Sequence, residues 1–308
     1  MSTRLPSGVL AAGLTPFQPD LSLAREAFSQ HVQWLLANGC DAVLLFGTTG
    51  EGLSLTIDER VQGVDTLLAS DLPAARMLVG TGAPALPDAV ELTQEATARG
   101  VGGVLVLPPF HFRQIQSEGT FRFYDQLIQR VGDKDLRLYF YHFPELSGVP
   151  IPFSVIQRLQ DAYPQQIAGI KDSSGEWDHT EALCREFPEL QVFSGTERLL
   201  QPVLEAGGAG CISATANVTA PLAARVLADW QNGRDASPAQ EALTTLRTAF
   251  APVPTIPALK HLLAERHKDS GWATVRPPLA PLDEQEKETV HEIAARLQNT
   301  VPLPGTSR

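Results

Sequence analysis

Cysteine is scarce in this 308-residue chain. Cys40, Cys184 and Cys211 lie far apart and no CxxC pair occurs. This supports neither a zinc knot nor a disulfide framework, and a reducing cytoplasm is the compartment it suits. Basic charge is short as well: 24 Lys and Arg stand against 35 Asp and Glu, a formal net charge of -11. A nucleic-acid binder wants a basic face, and so does a protein held on an anionic membrane surface, so neither partner is expected. No apolar run reaches the roughly 18 residues that a membrane-spanning helix needs. The apolar patch from Gly8 to Leu14 follows a single Arg4 and runs into Thr15-Pro16-Phe17 without a small-residue cleavage site. It therefore reads as a first strand rather than a leader. The histidines are dispersed, without HxH, HxxxH or HExxH spacing, so no metal is expected. GxGxxG, the P-loop pattern and GxSxG are missing too, which removes the common signatures of dinucleotide, nucleotide and serine-hydrolase chemistry.

What remains is ample apolar residue, 43% of the chain, with 19% charged. That is enough for a full core and too little charge for disorder. A two-beat rhythm runs along the sequence. Short apolar runs occur near Val9–Leu14, Ala42–Phe46, Met77–Gly80, Gly103–Leu107, Leu136–Tyr141, Ile167–Lys171, Gln191–Ser194 and Ala209–Ser213. Each is followed by a Gly, Pro, Ser or Asp turn and a stretch with helical spacing. Runs that are apolar at every position, such as Val43-Leu44-Leu45-Phe46, suit parallel strands covered on both faces. Eight βα units predict a closed (β/α)8 TIM barrel of the α/β class; the rival, a doubly wound open sheet, usually has fewer units and a phosphate fingerprint. The barrel is expected over residues 1–231. A C-terminal helical extension follows over 232–308, with helices at Ser237–His267 and Asp283–Leu297 joined by Arg276-Pro277-Pro278.

In such a barrel the chemistry sits where the strands end. The second strand runs into Gly47-Thr48-Thr49-Gly50-Glu51-Gly52. This turn offers backbone N–H groups and two hydroxyls to a carboxylate or phosphate, or else is a simple strand-to-helix connection. The sixth strand ends in Gly169-Ile170-Lys171-Asp172, and alternation puts Ile167, Gly169 and Lys171 on one face with room beneath the lysine at Gly169. Of the five lysines, Lys134 lies in a charged turn, and Lys260, Lys268 and Lys287 lie on the helical tail among polar neighbours. Only Lys171 is carried into the barrel mouth by an apolar strand. A desolvated lysine turns into the neutral amine that attacks carbonyls; the competing reading is an ion pair with Asp172 or another strand-end acid. On the fifth strand Tyr141 lies nearest the end, as a proton shuttle or as a core tyrosine with its hydroxyl on backbone. His142, on the opposite face, is expected to pack toward the helices.

Taken together, Gly-Thr-Thr-Gly-Glu after the second strand, Tyr-x-x-Pro-x-x-Ser-Gly after the fifth and Gly-Ile-Lys-Asp at the sixth carry a resemblance. Leu14-Thr15-Pro16-Phe17 and Gly210-Cys211-Ile212-Ser213-Ala214-Thr215-Ala216-Asn217 extend it over essentially the whole chain. The sequence resembles the dihydrodipicolinate synthase and N-acetylneuraminate lyase family of class I, Schiff-base pyruvate aldolases. The resemblance implies that Lys171 condenses with a 2-keto group and that the iminium serves as electron sink, without a cofactor. It implies that Tyr141 moves a proton at the C4 hydroxyl, and that Thr48 and Thr49 hold the pyruvate carboxylate and help place Tyr141. Gly195 and Ile212 would line the pocket through backbone groups, and Glu197 falls where lyase members hold sugar hydroxyls. Pyruvate or another 2-keto acid, a cytoplasmic location and a homodimer or homotetramer are implied as well.

The departures bear on substrate. Synthase members resemble one another in a tyrosine after the fourth strand, where this chain has Pro108-Pro109-Phe110-His111-Phe112-Arg113. They also resemble one another in an arginine that binds the second substrate's carboxylate, and Leu146 stands in its place. Losing a buried charge-assisted pair typically costs about 2–5 kcal/mol, so a lysine-pathway synthase is disfavoured. Arg113 or His111 could meet an anion instead. The expected reaction is cleavage of a 2-keto-3-deoxy sugar acid to pyruvate and an aldehyde. The alternatives are 4-hydroxy-tetrahydrodipicolinate synthase, a dehydratase of a similar acid, and a non-enzymatic keto-acid sensor or structural subunit.

Overall fold

A computed structural model of the chain describes residues 5–110 and 112–300. Among these residues, eight parallel strands close into a barrel in sequence order. They are β1 (Gly8–Ala12), β2 (Ala42–Leu45), β3 (Met77–Gly80), β4 (Gly103–Val106), β5 (Leu138–His142), β6 (Ile167–Asp172), β7 (Gln191–Ser194) and β8 (Gly210–Ser213). Pairing of β8 with β1 closes the ring, with Val9 beside Cys211 and Leu10 beside Ile212. Around the barrel run α1 (Arg25–Ala37), α2 (Ile57–Leu68), α3 (Leu86–Ala98), α4 (Ser117–Val131), α5 (Pro144–Ser147), α6 (Phe153–Ala162), α7 (Trp177–Glu186), α8 (Leu200–Glu205) and α9 (Ala216–Gln231). Then come α10 (Ser237–Ala249), α11 (Thr255–His267) and α12 (Glu284–Thr300). No helix among the described residues is long and apolar enough to cross a membrane.

The all-apolar strands explain the architecture. Because successive strand side chains point to opposite faces, one run fills two cores. Val9, Val43, Leu45, Val79 and Phe140 join the layer between barrel and helices. Leu10, Leu44, Leu78, Leu105, Tyr139 and Phe193 fill the barrel interior. Helix ends carry their own signals: Thr56 accepts the Glu59 N–H while the Glu59 carboxylate accepts the Thr56 N–H, a reciprocal cap that starts α2. Leu243, Phe250, Leu259, Leu263 and Val290 of residues 232–308 pack into the same apolar layer as the barrel helices.

Several expectations need correction. β2 stops at Leu45 because Phe46 turns to φ 54, outside the strand region. β1 ends at Ala12, where Gly13 makes one last bond to Leu44 and the Leu14 N–H goes to Asn217. The single helix expected over Ser237–His267 is two, broken at Pro252 and Pro254, which lack the N–H a continuing helix requires. On β6 a register shift opposite Leu138 and Tyr139 puts Ile167 in the outer layer, so the alternation with Lys171 holds only from Gly169 onward. Lys260 is fully buried, not a polar-face residue of the tail.

Candidate active site

At the C-terminal ends of the strands a cavity of about 650 Å³ opens. Lys171 forms part of its wall. The backbone register sets Lys171 between Tyr141 on β5 and Phe193 on β7. Its side chain is buried, and Nζ lies 4.4 Å from the centroid of the Tyr141 ring. The space below is taken by another ring: a Cβ at Gly169 would come within 2.7 Å of Tyr139, whose hydroxyl donates to Gln191 Oε1 at 2.6 Å. So the glycine makes room for Tyr139 rather than directly for the lysine stem.

Ion pairing with Asp172 is not what occupies Lys171. Asp172 is the next residue on the strand and faces the helices, where Thr180 Oγ1 donates to Oδ2 at 2.7 Å and the Ser174 N–H donates to Oδ1 at 3.0 Å. His179 Nδ1 lies 3.0 Å from Oδ2. Burial opposes this carboxylate, yet the bonds from His179, Thr180 and Ser174 hold its pKa below the usual value. His142 sits on this outer side as well. Its Nδ1 accepts the Ile151 N–H at 3.2 Å and its ring stacks on His179 at 4.4 Å. Burial pushes the His142 pKa down to about 4, against the pull of Asp172. His142, Asp172 and His179 thus gather three atoms able to bind a metal, a grouping with no local spacing in the sequence. Hydrogen bonds already engage all three residues, which makes the cluster an anchor for the end of β6.

Opposite the lysine, the turn after β2 brings Thr48 and Thr49 to the cavity. Thr48 Oγ1 lies 3.4 Å from the Tyr141 hydroxyl. Glu51 N–H bonds Thr48 O and Gly52 N–H bonds Gly47 O, while Thr15 Oγ1 donates to Gly50 O at 2.7 Å. Only glycine fits at position 52, since a Cβ there would sit 1.9 Å from the Phe46 carbonyl oxygen. The carboxylate of Glu51, at φ 52, points below the turn to Lys260 of α11 and accepts the Arg276 N–H at 2.9 Å. Arg276 also forks onto Glu59 and bonds the carbonyls of Ser54 and Leu21. In this way the C-terminal residues clamp the threonine turn.

Lys171, Tyr141, Thr48, Thr49 and Gly195 therefore meet at one cavity. Two other expected residues do not. Glu197 is a correction: its side chain is fully buried away from the cavity, accepting Thr215 Oγ1 at 2.5 Å and Thr219 Oγ1 at 2.9 Å. Burial raises its pKa, with these hydroxyls and Arg247 working the other way. Ile212 is buried inside the barrel and does not line the cavity. His111 lies outside the described residues. Conversely, Arg198, Arg247, Phe250 and Ile256 line the cavity without having been expected there. A weak signal existed for Arg247, which follows the buried Leu243 by four residues and so falls beside the apolar stripe of α10.

The family model described as the dihydrodipicolinate synthetase family matches residues 5–297. A Chloroflexus aurantiacus protein named uncharacterized DapA-like lyase is 34% identical over 282 residues, which span 91% of this chain and 93% of that protein. The 4-hydroxy-tetrahydrodipicolinate synthase of Gluconacetobacter diazotrophicus is 31% identical over 303 residues, 95% of this chain and 97% of that one. Among solved structures, the dihydrodipicolinate synthase of Agrobacterium tumefaciens superposes with a TM-score of 0.84 at 30% identity, covering 96% of this chain and 99% of that chain.

Proposed function

The chain belongs to the dihydrodipicolinate synthetase family, and from that premise we propose that it cleaves a 2-keto-3-deoxy sugar acid to pyruvate and an aldehyde through a Schiff base on Lys171. The observation that carries this reading is a buried strand-end lysine with no ion-pair partner among the described residues, facing the ring of Tyr141. The Lys171 amine adds to the C2 carbonyl, and the Tyr141 hydroxyl gives its proton to the oxygen that leaves as water, which forms the iminium. The phenolate then takes the proton of the C4 hydroxyl as the C3–C4 bond breaks. The bonding electrons pass to the iminium, giving an enamine and free aldehyde. Protonation at C3 and hydrolysis by water then release pyruvate and return the lysine. Thr48 and Thr49 offer hydroxyls and turn amides to the C1 carboxylate, and Thr48 steadies the Tyr141 hydroxyl.

A second reading, 4-hydroxy-tetrahydrodipicolinate synthase, draws support from relatives that bear that name. Leu146 weighs against it: the side chain is 47% exposed and does not line the cavity. Buried free cysteines favour a reducing cytoplasm, and a homo-oligomer suits the family.

Borohydride reduction in the presence of pyruvate, followed by peptide mass spectrometry, tests the reading. A reduced pyruvate adduct on Lys171 is expected, and Lys171→Ala should abolish it. Tyr141→Phe should keep the adduct while turnover falls by about 10²–10⁴-fold, the usual worth of a positioned acid–base group. No adduct in folded protein would remove the aldolase reading and favour a binding module. A panel of keto-deoxy sugar acids, run beside pyruvate plus aspartate semialdehyde, separates the two enzymatic readings.

A further inference from the structure

The cavity wall opposite the barrel strands carries two guanidinium groups with nothing to hold. Arg247, on α10, makes no hydrogen bond or ion pair among the described residues, and its Nε is buried without a partner. Arg198 lines the same cavity from the turn after β7 and likewise has no side-chain partner there. The helix and the turn that carry them are tied together by Gln240 of α10, whose Nε2 donates to the carbonyls of Glu197 (3.0 Å) and Arg198 (3.2 Å). Glu197 is the acid nearest in kind, but one of its oxygens is taken by Thr215 and Thr219 and the other stays unbonded, so it does not neutralise Arg247 by contact. The Asp172 carboxylate faces the helices, engaged by His179, Thr180 and Ser174. That leaves exposed Glu145 as the acid facing this wall. In a chain with a net charge of -11, a pair of arginines with no contacting counter-ion beside a keto-acid site is a specific provision rather than background.

The geometry points to a subsite for a second anionic group: Arg247, assisted by Arg198, recognises a carboxylate or phosphate at the far end of the substrate. This rests on the Schiff-base reading above and narrows it to acids with a charged group on the aldehyde-derived half. A guanidinium fits either anion through paired N–H donors. The arginine missing from the segment after β5 is thus answered from the C-terminal extension.

Titration calorimetry on the full chain tests this with matched 2-keto acids: 2-oxoadipate against 2-oxohexanoate, and phosphorylated 2-keto-3-deoxygluconate against the unphosphorylated acid. At least one charged ligand should bind about tenfold or more tightly than its neutral match, as a charge-assisted bond implies. Which of the two wins identifies the anion. Arg247→Gln should weaken the charged ligand more than the neutral one and erase the preference, and Arg247→Lys should restore part of it. Equal binding of charged and neutral ligands by the unaltered protein would overturn the inference. So would an Arg247→Gln protein that weakens both ligands equally, the mark of a structural role. If Arg247→Gln does not fold, the preference of the unaltered protein and its reduction in Arg247→Lys decide. Borohydride trapping of pyruvate on the same protein is scored separately. A preference without trapping refutes the Schiff base and leaves the anion subsite, and trapping without a preference does the reverse.

Discussion

Removing either partner of the buried Lys260–Glu51 pair should destabilise the protein, but by unequal amounts. Both side chains are essentially inaccessible, at 0% and 1%. Lys260 keeps two further contacts, donating to the Thr274 carbonyl at 2.7 Å and sitting 4.3 Å from the Phe17 ring centroid. Burial pushes its pKa from 10.5 down to about 8, with Glu51 holding it up. In Glu51→Gln the ammonium can therefore escape by losing its proton. At pH 7 that means crossing about one unit, or about 1.4 kcal/mol. Lys260→Met gives the carboxylate no comparable exit, because it leaves a buried anion with its cationic partner gone and no proton of its own to shed. The expected costs are about 1–2 kcal/mol for Glu51→Gln and about 3–5 kcal/mol for Lys260→Met, the latter typical of a stranded buried charge. The double substitution should cost less than the sum. Equilibrium urea unfolding at pH 7 with a common m-value measures all three. Equal single costs, or a strictly additive double, would refute the reasoning. The same pair holds the Thr48–Thr49 turn, so Lys260→Met should also raise the pyruvate concentration needed for half-maximal trapping.

Two further effects follow from buried groups. His31 and His142 have folded pKa values pushed by burial from 6.5 to about 4. Between these values the unfolded chain binds more protons than the folded one, so stability is full above pH 6.5 and is lost as pH falls toward 4, by roughly 3 kcal/mol per histidine. Urea midpoints between pH 7 and 5 should fall less steeply in His31→Gln; an unchanged slope would rule out this origin. Gly169→Ala should cost about 1–3 kcal/mol through collision with the Tyr139 ring and the Gln191 carbonyl oxygen, which a Cβ would approach to 2.7 and 2.4 Å. Thermal unfolding of Gly169→Ala indistinguishable from the unaltered protein would show that β6 relaxes freely.

Much of the barrel was legible because its signal is local. Eight short apolar runs, each followed by a turn and a helical stretch, need no knowledge of distant contacts to be counted. The errors fall where tertiary context overrides the local pattern. Ile167 obeys alternation on paper but lies beyond an irregularity in the β5–β6 register that no residue announces. Phe46 looks like a strand residue, yet its backbone has turned left-handed to start the threonine turn.

The site divides along the same line. Lys171, Tyr141, Thr48 and Thr49 are strand-end residues, and strand ends can be located from the sequence rhythm. Glu197 was misplaced because two positions past Gly195 the chain enters a short 3-10 turn that sends the carboxylate inward to Thr215 and Thr219. The contributions of Lys260, Arg276 and Arg247 could not be read at all. Each depends on how a segment dozens of residues beyond the last strand folds back over the barrel mouth. Lys260 reads as a polar helix residue until the partner 209 positions earlier is known to lie beneath it. This asymmetry has a chemical sense. The strand ends carry the groups any keto acid needs, an amine, a phenol and a carboxylate cradle, and these must sit at fixed positions on the rigid barrel. The extension supplies the far wall, lined by Arg247, Phe250 and Ile256, where the proposed anion subsite lies. On the proposed reading, reaction type and substrate choice are thus written on different parts of the chain. Substitutions on α10 should alter which acid is bound while borohydride trapping of pyruvate persists.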